Sequence, residues 1–275
     1  MIEKRHTSGI GLLELLVATT ILSIMVLMLF QILNNTSTAW ALGQSQTERR
    51  QSARALADAM AQELQSALMP VDPADQKSLQ FILNPSMVPS TYANADTLFW
   101  QAPVATDRTY GDVAEVGYFL KWDQSRVGNP RPLLCRFFVN PTDNANYLII
   151  RKPTAWLSGD ILEQVAPGTN QPTNSYAGLF AENVIGFWVR CFDASGNIVQ
   201  NYDSRTAQKL PRTVKIYLVL ISPASLPRLR TLPDYTKAGG ASTEPNVEQF
   251  IAFLPDGVRE TARSYTTEVR LQNAL

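Results

Sequence analysis

The sequence predicts an α+β chain: one long N-terminal helix, first transmembrane and then amphipathic, packed on an antiparallel β-rich domain. Three observations predict it. Residues 10–33 form an apolar run with a single formal charge, Glu14, and no proline. Residues 49–68 then place Ala53, Leu56, Ala57, Met60, Leu64 and Leu68 mostly at steps of three and four, the period of one helical face. Beyond Pro70 the pattern changes to short runs of period two, or of continuous apolar residues, separated by turn chemistry.

Composition narrows the function classes before any motif is read. The chain has 275 residues, 45% hydrophobic and 17% charged, against a typical charged share of about 25%. That is too apolar for disorder. Fourteen glycines and 17 prolines exclude a collagen-like or low-complexity chain. Lys plus Arg number 24 and Asp plus Glu number 24, so there is no basic excess to hold nucleic acid. The one histidine is His6. If the N-terminus is removed, Ser-His-Asp sites, Cys-His sites and His-ligated metals go with it. Carboxylate, Lys or Tyr chemistry stays open, as a membrane-anchored exported enzyme, but the reading is of a chain that is not an enzyme and has no cofactor.

Taken in order, the first element is the span. Residues 10–33 as a helix measure about 36 Å, enough to cross a hydrocarbon core of about 30 Å. Thr19, Thr20 and Ser23 can return their hydroxyls to helix carbonyls. Lys4 and Arg5 precede the span, and the next basic residues are Arg49 and Arg50. The N-terminus is therefore expected in the cytoplasm and the rest across the membrane. Glu14 needs a reason. A carboxylate in an apolar span costs roughly 2–3 kcal/mol near mid-membrane. Cleavage between Gly9 and Ile10 would create its partner, an α-ammonium on Ile10, with Glu14 as the fifth residue of the new chain. On neighbouring helices shifted along the axis, the two charges would neutralise each other.

A basic leader ending in Gly9, an apolar run, and Glu14 five residues past that glycine resemble a type IV prepilin or pseudopilin. Residues Gly9-Ile10-Gly11-Leu12-Leu13-Glu14-Leu15-Leu16 carry the match. Ile10 stands where Phe or Met is usual, and Gly11 where Thr is common. The resemblance implies a leader over 1–9, a transmembrane helix over 10–33 and a helical stalk over 34–69. It implies an exported pilin-like domain over 70–275, cleavage after Gly9 and N-methylation of Ile10. Loss of the leader leaves a mature net charge of −1.

The stalk helix is expected to stop before Pro70, with Pro73 confirming the break. Residues 10–68 would measure about 88 Å if continuous. Asn34, Asn35 and Gly43 are weak helix formers, so local melting is expected there. Strands are expected over 79–83, 97–102, 113–122, 133–139, 147–151, 183–192, 213–222 and 266–271. Turns are expected at Gly128-Asn129-Pro130 and at Asp193-Ala194-Ser195-Gly196-Asn197. Phe99, Trp100, Tyr118, Phe119, Trp122, Phe187 and Trp188 fall inside strands and read as core or sheet-face residues.

The run Leu179-Phe180-Ala181-Glu182-Asn183-Val184-Ile185-Gly186-Phe187-Trp188-Val189-Arg190-Cys191-Phe192-Asp193, a polar turn, and then Lys209-Leu210-Pro211-Arg212-Thr213-Val214 entering a strand narrow the resemblance. They are similar to the J-type minor pseudopilin of type II secretion and to related prepilin-like cassette proteins. The implied partners are a prepilin peptidase, other pseudopilin or pilin subunits, the inner membrane and an exported protein as substrate, with no nucleic acid. The alternative is an adhesive or substrate-binding tip on the same anchor. Residues 223–263 depart from the family as an insertion before the last strand. They read as a solvated loop over the sheet edge or as a contact for a partner. Residues 237–242 look flexible, and Asn246 is placed as the N-cap of a short helix over 246–254.

Cys135 and Cys191 both fall in expected strands and are left as either one disulfide or two buried thiols. Asp72, Asp75, Asp193 and Asp203 could be proposed as calcium ligands but lack EF-hand spacing and read as loop carboxylates. No metal site is assigned.

Overall fold

The computed structural model describes residues 11–69, 79–86, 88, 95–109, 111–123, 130–141 and 177–274. Among these the chain is mixed helix and antiparallel sheet, in agreement with the α+β expectation. It divides into two units, Met1–Arg50 and Gln51–Leu275. The expected strand over 147–151, the turn at Gly128-Asn129-Pro130, and Asp72 and Asp75 lie outside the described residues.

The first helix, α1 (Leu12–Gln65), starts inside the first unit. Its segment Leu12–Ser37 is long and apolar enough to cross a membrane, and its large apolar side chains are exposed. The melting expected at Asn34, Asn35 and Gly43 does not occur, because α1 is helical through all three. A glycine or asparagine weakens a helix by at most about 1 kcal/mol. Once the costly first turn exists, each added residue gains a hydrogen bond. Hydroxyls also bond back onto the ladder here, Thr36 to the Ile32 carbonyl at 2.8 Å and Thr47 to the Gly43 carbonyl at 3.0 Å.

In the second unit the predicted apolar stripe faces the core: Ala53, Ala57, Met60 and Leu64 are buried, joined by Ala67, while Leu56 and Leu68 are half-buried. The helix ends at Gln65, three residues short of the expected Leu68. A competing partner ends it, because the Leu68 N–H donates to the Gln101 carbonyl of the neighbouring sheet at 3.0 Å.

Five strands form the first sheet in sequence order: β1 (Phe81–Leu83), β2 (Leu98–Ala102), β3 (Ala114–Asp123), β4 (Arg131–Val139) and β5 (Ala177–Glu182). Leu98, Trp100, Val116, Tyr118, Leu120 and Leu134 share one face by register and join the same core as Met60 and Leu64. Phe99, Phe119, Phe137 and Cys135 occupy the opposite face and are also fully buried. Burial on both faces explains why these strands read as continuous apolar runs. Gly117 pairs with Phe99 across the β2–β3 ladder. A Cβ there would sit 2.2 Å from the Phe99 ring, so the ring requires a glycine below it.

The strand expected over 183–192 is present, and residues 179–182 ahead of it belong to a different strand, β5. Asn183 adopts a left-handed φ of 65° between β5 and β6 (Val184–Phe192), and the chain passes there into the second sheet. That sheet has the order β7 (Ile198–Val199), β6, β8 (Thr213–Leu220), β9 (Arg263–Arg270). The expected turn at Asp193 closes the β6–β7 hairpin. A short helix α2 (Ser204–Ala207) precedes β8.

The insertion between β8 and β9 is ordered structure and covers a sheet face rather than an edge. It contains 3₁₀ turns at Pro223–Arg228 and Tyr235–Ala238, then α3 (Val247–Ala252) and α4 (Asp256–Arg259). The Asn246 N-cap is as expected: its side chain accepts from the Gln249 N–H at 2.9 Å. Trp188, Tyr235 and Phe250 form one aromatic group, with Trp188–Phe250 centroids 4.9 Å apart and Tyr235–Phe250 centroids 5.5 Å apart. Residues 237–242, expected to be flexible, are held from below by Arg190, which donates to the Gly240 and Thr243 carbonyls.

Candidate functional site

Gly9, Ile10, Lys4 and Arg5 lie outside the described residues. Glu14 is described. Gly11 precedes α1 as its N-cap and Glu14 is the third helical residue; the Gly11 N–H donates to Glu14 Oε2 at 3.4 Å. This is the returning half of a capping box, with a long bond that occupies one carboxylate oxygen. The hydroxyls around it are satisfied. Thr19 and Thr20 donate to the Leu16 carbonyl at 3.0 and 2.7 Å, and Ser23 to the Thr19 carbonyl at 2.8 Å. Beside Glu14 the small residues Ala18 and Thr19 leave a shallow hollow bounded by Leu15 and Leu22. The charge therefore stands at the head of an exposed apolar helical segment.

In the second unit two ion-pair junctions hold the layers together, and sequence reasoning singled out neither. At the first, Glu63 of α1 accepts from Arg136 of β4, Nη2 at 2.7 Å and Nε at 3.2 Å, and from the Tyr118 hydroxyl of β3 at 2.6 Å. Burial, reinforced by the Glu63 charge, pushes the Tyr118 phenol above its ordinary value, so it stays a donor. The available signal was a carboxylate three residues past Met60, on the edge of the apolar stripe.

At the second junction, Arg190 of β6 is 3% exposed and pairs with Asp96 at 2.7 Å. Asp96 also accepts from the Val189 N–H and from the Asn84 side-chain amide, both at 2.8 Å. The left-handed Asn84 accepts in turn from the Thr97 N–H at 2.8 Å. The signal here was a lone arginine inside an apolar strand. Tyr235 adds a third link: its hydroxyl donates to the Ile185 carbonyl at 2.8 Å and accepts from the Trp122 indole at 2.9 Å, touching both sheets from the insertion.

Asn84, Asp96, Thr97, Trp188, Arg190 and Tyr235 line a cleft of about 550 Å³. The bonds just described already engage the Asp96, Arg190, Asn84 and Tyr235 groups. The arrangement is suited to fixing layers in place. Both described cysteine thiols are shifted toward inertness. Burial pushes the Cys135 thiol up to about 12 and raises Cys191 further. Cys135 lies in β4 and Cys191 in β6, one in each sheet, and both thiols are free. Asp193 and Asp203, raised as calcium candidates, bind their own chain. Asp193 accepts the Ser195 and Asn197 N–H groups at 2.8 Å, and Asp203 caps α2 and pairs with Arg205 at 2.6 Å. Among the described residues no group of three or more His, Cys, Asp or Glu side chains is placed to hold a metal ion.

No family model, no curated protein and no solved structure matches the chain.

Proposed function

We propose that the chain is a minor pseudopilin-like subunit of a filament assembled from the inner membrane, of the type II secretion kind. The observation that carries this reading is Glu14. It is the one formal charge in the exposed apolar segment Leu12–Ser37, five residues past Gly9, beside a hollow left by small residues. A prepilin peptidase would cut after Gly9 and methylate Ile10. The new ammonium would lie one residue ahead of the helix cap. In a filament, the ammonium of one subunit pairs with Glu14 of the next, in a low dielectric where a close pair interacts far more strongly than in water. Helix packing then covers the apolar surface that lipid covers before assembly. The N-terminus is cytoplasmic and the domain periplasmic in this reading. The second unit supports it by its chemistry: Glu63, Asp96, Asp203 and Tyr235 serve ion pairs, a helix cap and bonds between layers, as suits a structural part that contacts sister subunits or an exported protein.

Mass spectrometry of membrane-extracted protein tests the processing step. The expected result is a chain beginning at Ile10 with a methylated amine; intact Met1 overturns it. Glu14→Gln keeps the shape and removes the charge. Cleavage is expected to continue, while crosslinking from Val17 to other filament subunits falls. Equal crosslinking in both proteins would remove Glu14 as the assembly contact.

A further inference from the structure

The outer edge of β9 and the cations at its end form an interaction surface that does not depend on leader cleavage or on Glu14. β9 is eight residues long, pairs with β8 from Thr213↔Arg270 to Leu220↔Arg263 without a register shift, and contains no proline. It closes the sheet on that side, and among the described residues no strand or loop hydrogen-bonds to its outer edge. The Leu271 N–H donates to the Arg212 carbonyl at 3.1 Å, which continues the same register. Residues opposite each other in an antiparallel ladder alternate between bonded and non-bonded pairs. Odd-numbered residues of β9 therefore turn their backbone groups to β8. Ser264, Thr266, Glu268 and Arg270 turn theirs outward.

Sheets ordinarily blunt such an edge by shortness, proline, a bulge or a covering segment. The other outer strands follow that rule in part: β1 has three residues, β7 has two, and β5 lies beside a register irregularity at Leu134/Cys135. β9 has none of these devices and carries only side-chain charge.

That charge is directional. Two adjoining cavities, about 390 and 540 Å³, meet at the C-terminal end of β9, and Arg212 and Arg270 line both. Lys209 lines the first, and Lys215 and Glu268 line the second. Lys215 is paired with Glu244, but Lys209, Arg212 and Arg270 enter no ion pair among the described residues. Asp193, on the shared wall, already holds the backbone of its own turn.

We infer that β9 accepts an extended acidic segment of another protein as an added strand, whose backbone pairs with the outward groups of Ser264, Thr266, Glu268 and Arg270 and whose carboxylates enter the Arg212–Arg270–Lys209 cavities. Main-chain bonds supply the affinity and the cations supply the choice of partner. A second copy is the poorer occupant. Full antiparallel overlap of two β9 edges sets Arg270 against Ser264 and Glu268 against Thr266, and leaves the cations of both copies unmatched.

The test uses the full chain in detergent micelles, with hydrogen exchange read over 263–271, and a short peptide alternating Val and Glu as the probe. The acidic peptide is expected to protect the Thr266, Glu268 and Arg270 amides, and its Val/Lys counterpart to bind about tenfold more weakly or worse. Thr266→Pro removes an outward N–H that the fold does not use. It should abolish protection while leaving the melting of the protein unchanged. Arg212→Glu with Arg270→Glu should reverse the peptide preference. Three results overturn the inference: no protection at millimolar acidic peptide, equal binding by the Thr266→Pro protein, or protection without peptide that rises with protein concentration. The last would assign the edge to a second copy.

Discussion

The two units of the chain treat a glycine in opposite ways. In the first unit, a Cβ added at Gly43 would meet nothing within 4 Å, and the apolar side chains of Leu12–Ser37 are exposed. In the second, a Cβ added at Gly117 would strike Phe99, one added at Gly186 would strike Trp188, and the apolar residues form one buried core. The contrast extends to charge. Among the described residues Glu14 has one long bond, whereas Glu63, Asp96 and Arg190 each make several short ones. The junctions of the second unit are closed by partners within it. The first presents exposed apolar surface and, at its head, the carboxylate of Glu14.

The sharpest way to break this contrast is at Arg190. Arg190→Met leaves Asp96 buried without its guanidinium and strips the Gly240 and Thr243 carbonyls of a donor. Removing one member of a buried pair costs about 3–5 kcal/mol. For a unit of this size, the expected result is a fall in Tm on the order of 10 °C, read by circular dichroism in the strand region. An unchanged Tm would show that the junction is not what fixes the insertion. Next in size is Gly117→Ala. The added methyl must displace the Phe99 ring, and overpacking of this kind costs about 1–3 kcal/mol. Chemical denaturation of the full chain measures it.

Gly43→Ala sharpens the comparison from the other side. With open space around it, the change should stabilise its helix by about 0.8–1 kcal/mol through propensity alone. It should slow amide exchange over 40–47 and leave the melting of the second unit where it was. The smallest effect concerns acid. Asp193, Asp234 and Glu244 are held below the ordinary carboxylate range, chiefly by the Asn197 N–H, the Thr236 hydroxyl and the Lys215 ammonium respectively. A depressed folded value means stability that is present above the unfolded value of about 4 and lost as pH falls through the folded one. A shallow loss of Tm is therefore expected on acidification below about pH 4. All three groups are largely exposed, so the loss should be slight, and added salt should weaken the Glu244–Lys215 part of it.

What the sequence made legible were features set by near neighbours. The stripe Ala53–Ala57–Met60–Leu64 follows from the helical period, the Asn246 cap from its side-chain carbonyl acceptor before an apolar turn, and the strand cores from β-rich runs. What stayed hidden depends on distant residues. Asn183 reads as one polar residue in an apolar run, and only the pairing of β5 with β4 and of β6 with β8 reveals a corner there. Arg190 reads as an outward strand residue until residues 223–259 are laid over it. Glu63 reads as solvated until Arg136, far along the chain, closes on it. Continuity of α1 across Asn34 and Gly43 is the converse case. Local propensity was legible, but it was too weak to decide the outcome against a helix already formed on both sides.

The position of residues 221–262 between β8 and β9 also sets an order of events. Two strands that pair along their whole length are separated by a long stretch of chain, and such non-local pairings slow folding because the intervening loop must be closed first. If Tyr235 and Phe250 seat on Trp188 ahead of β9, the free part of that loop is shortened. The covering segment would thus act on the rate of sheet completion as well as on the finished fold. A change at Phe250 should then appear first as slower folding of the last strand, with β6 and β8 already paired.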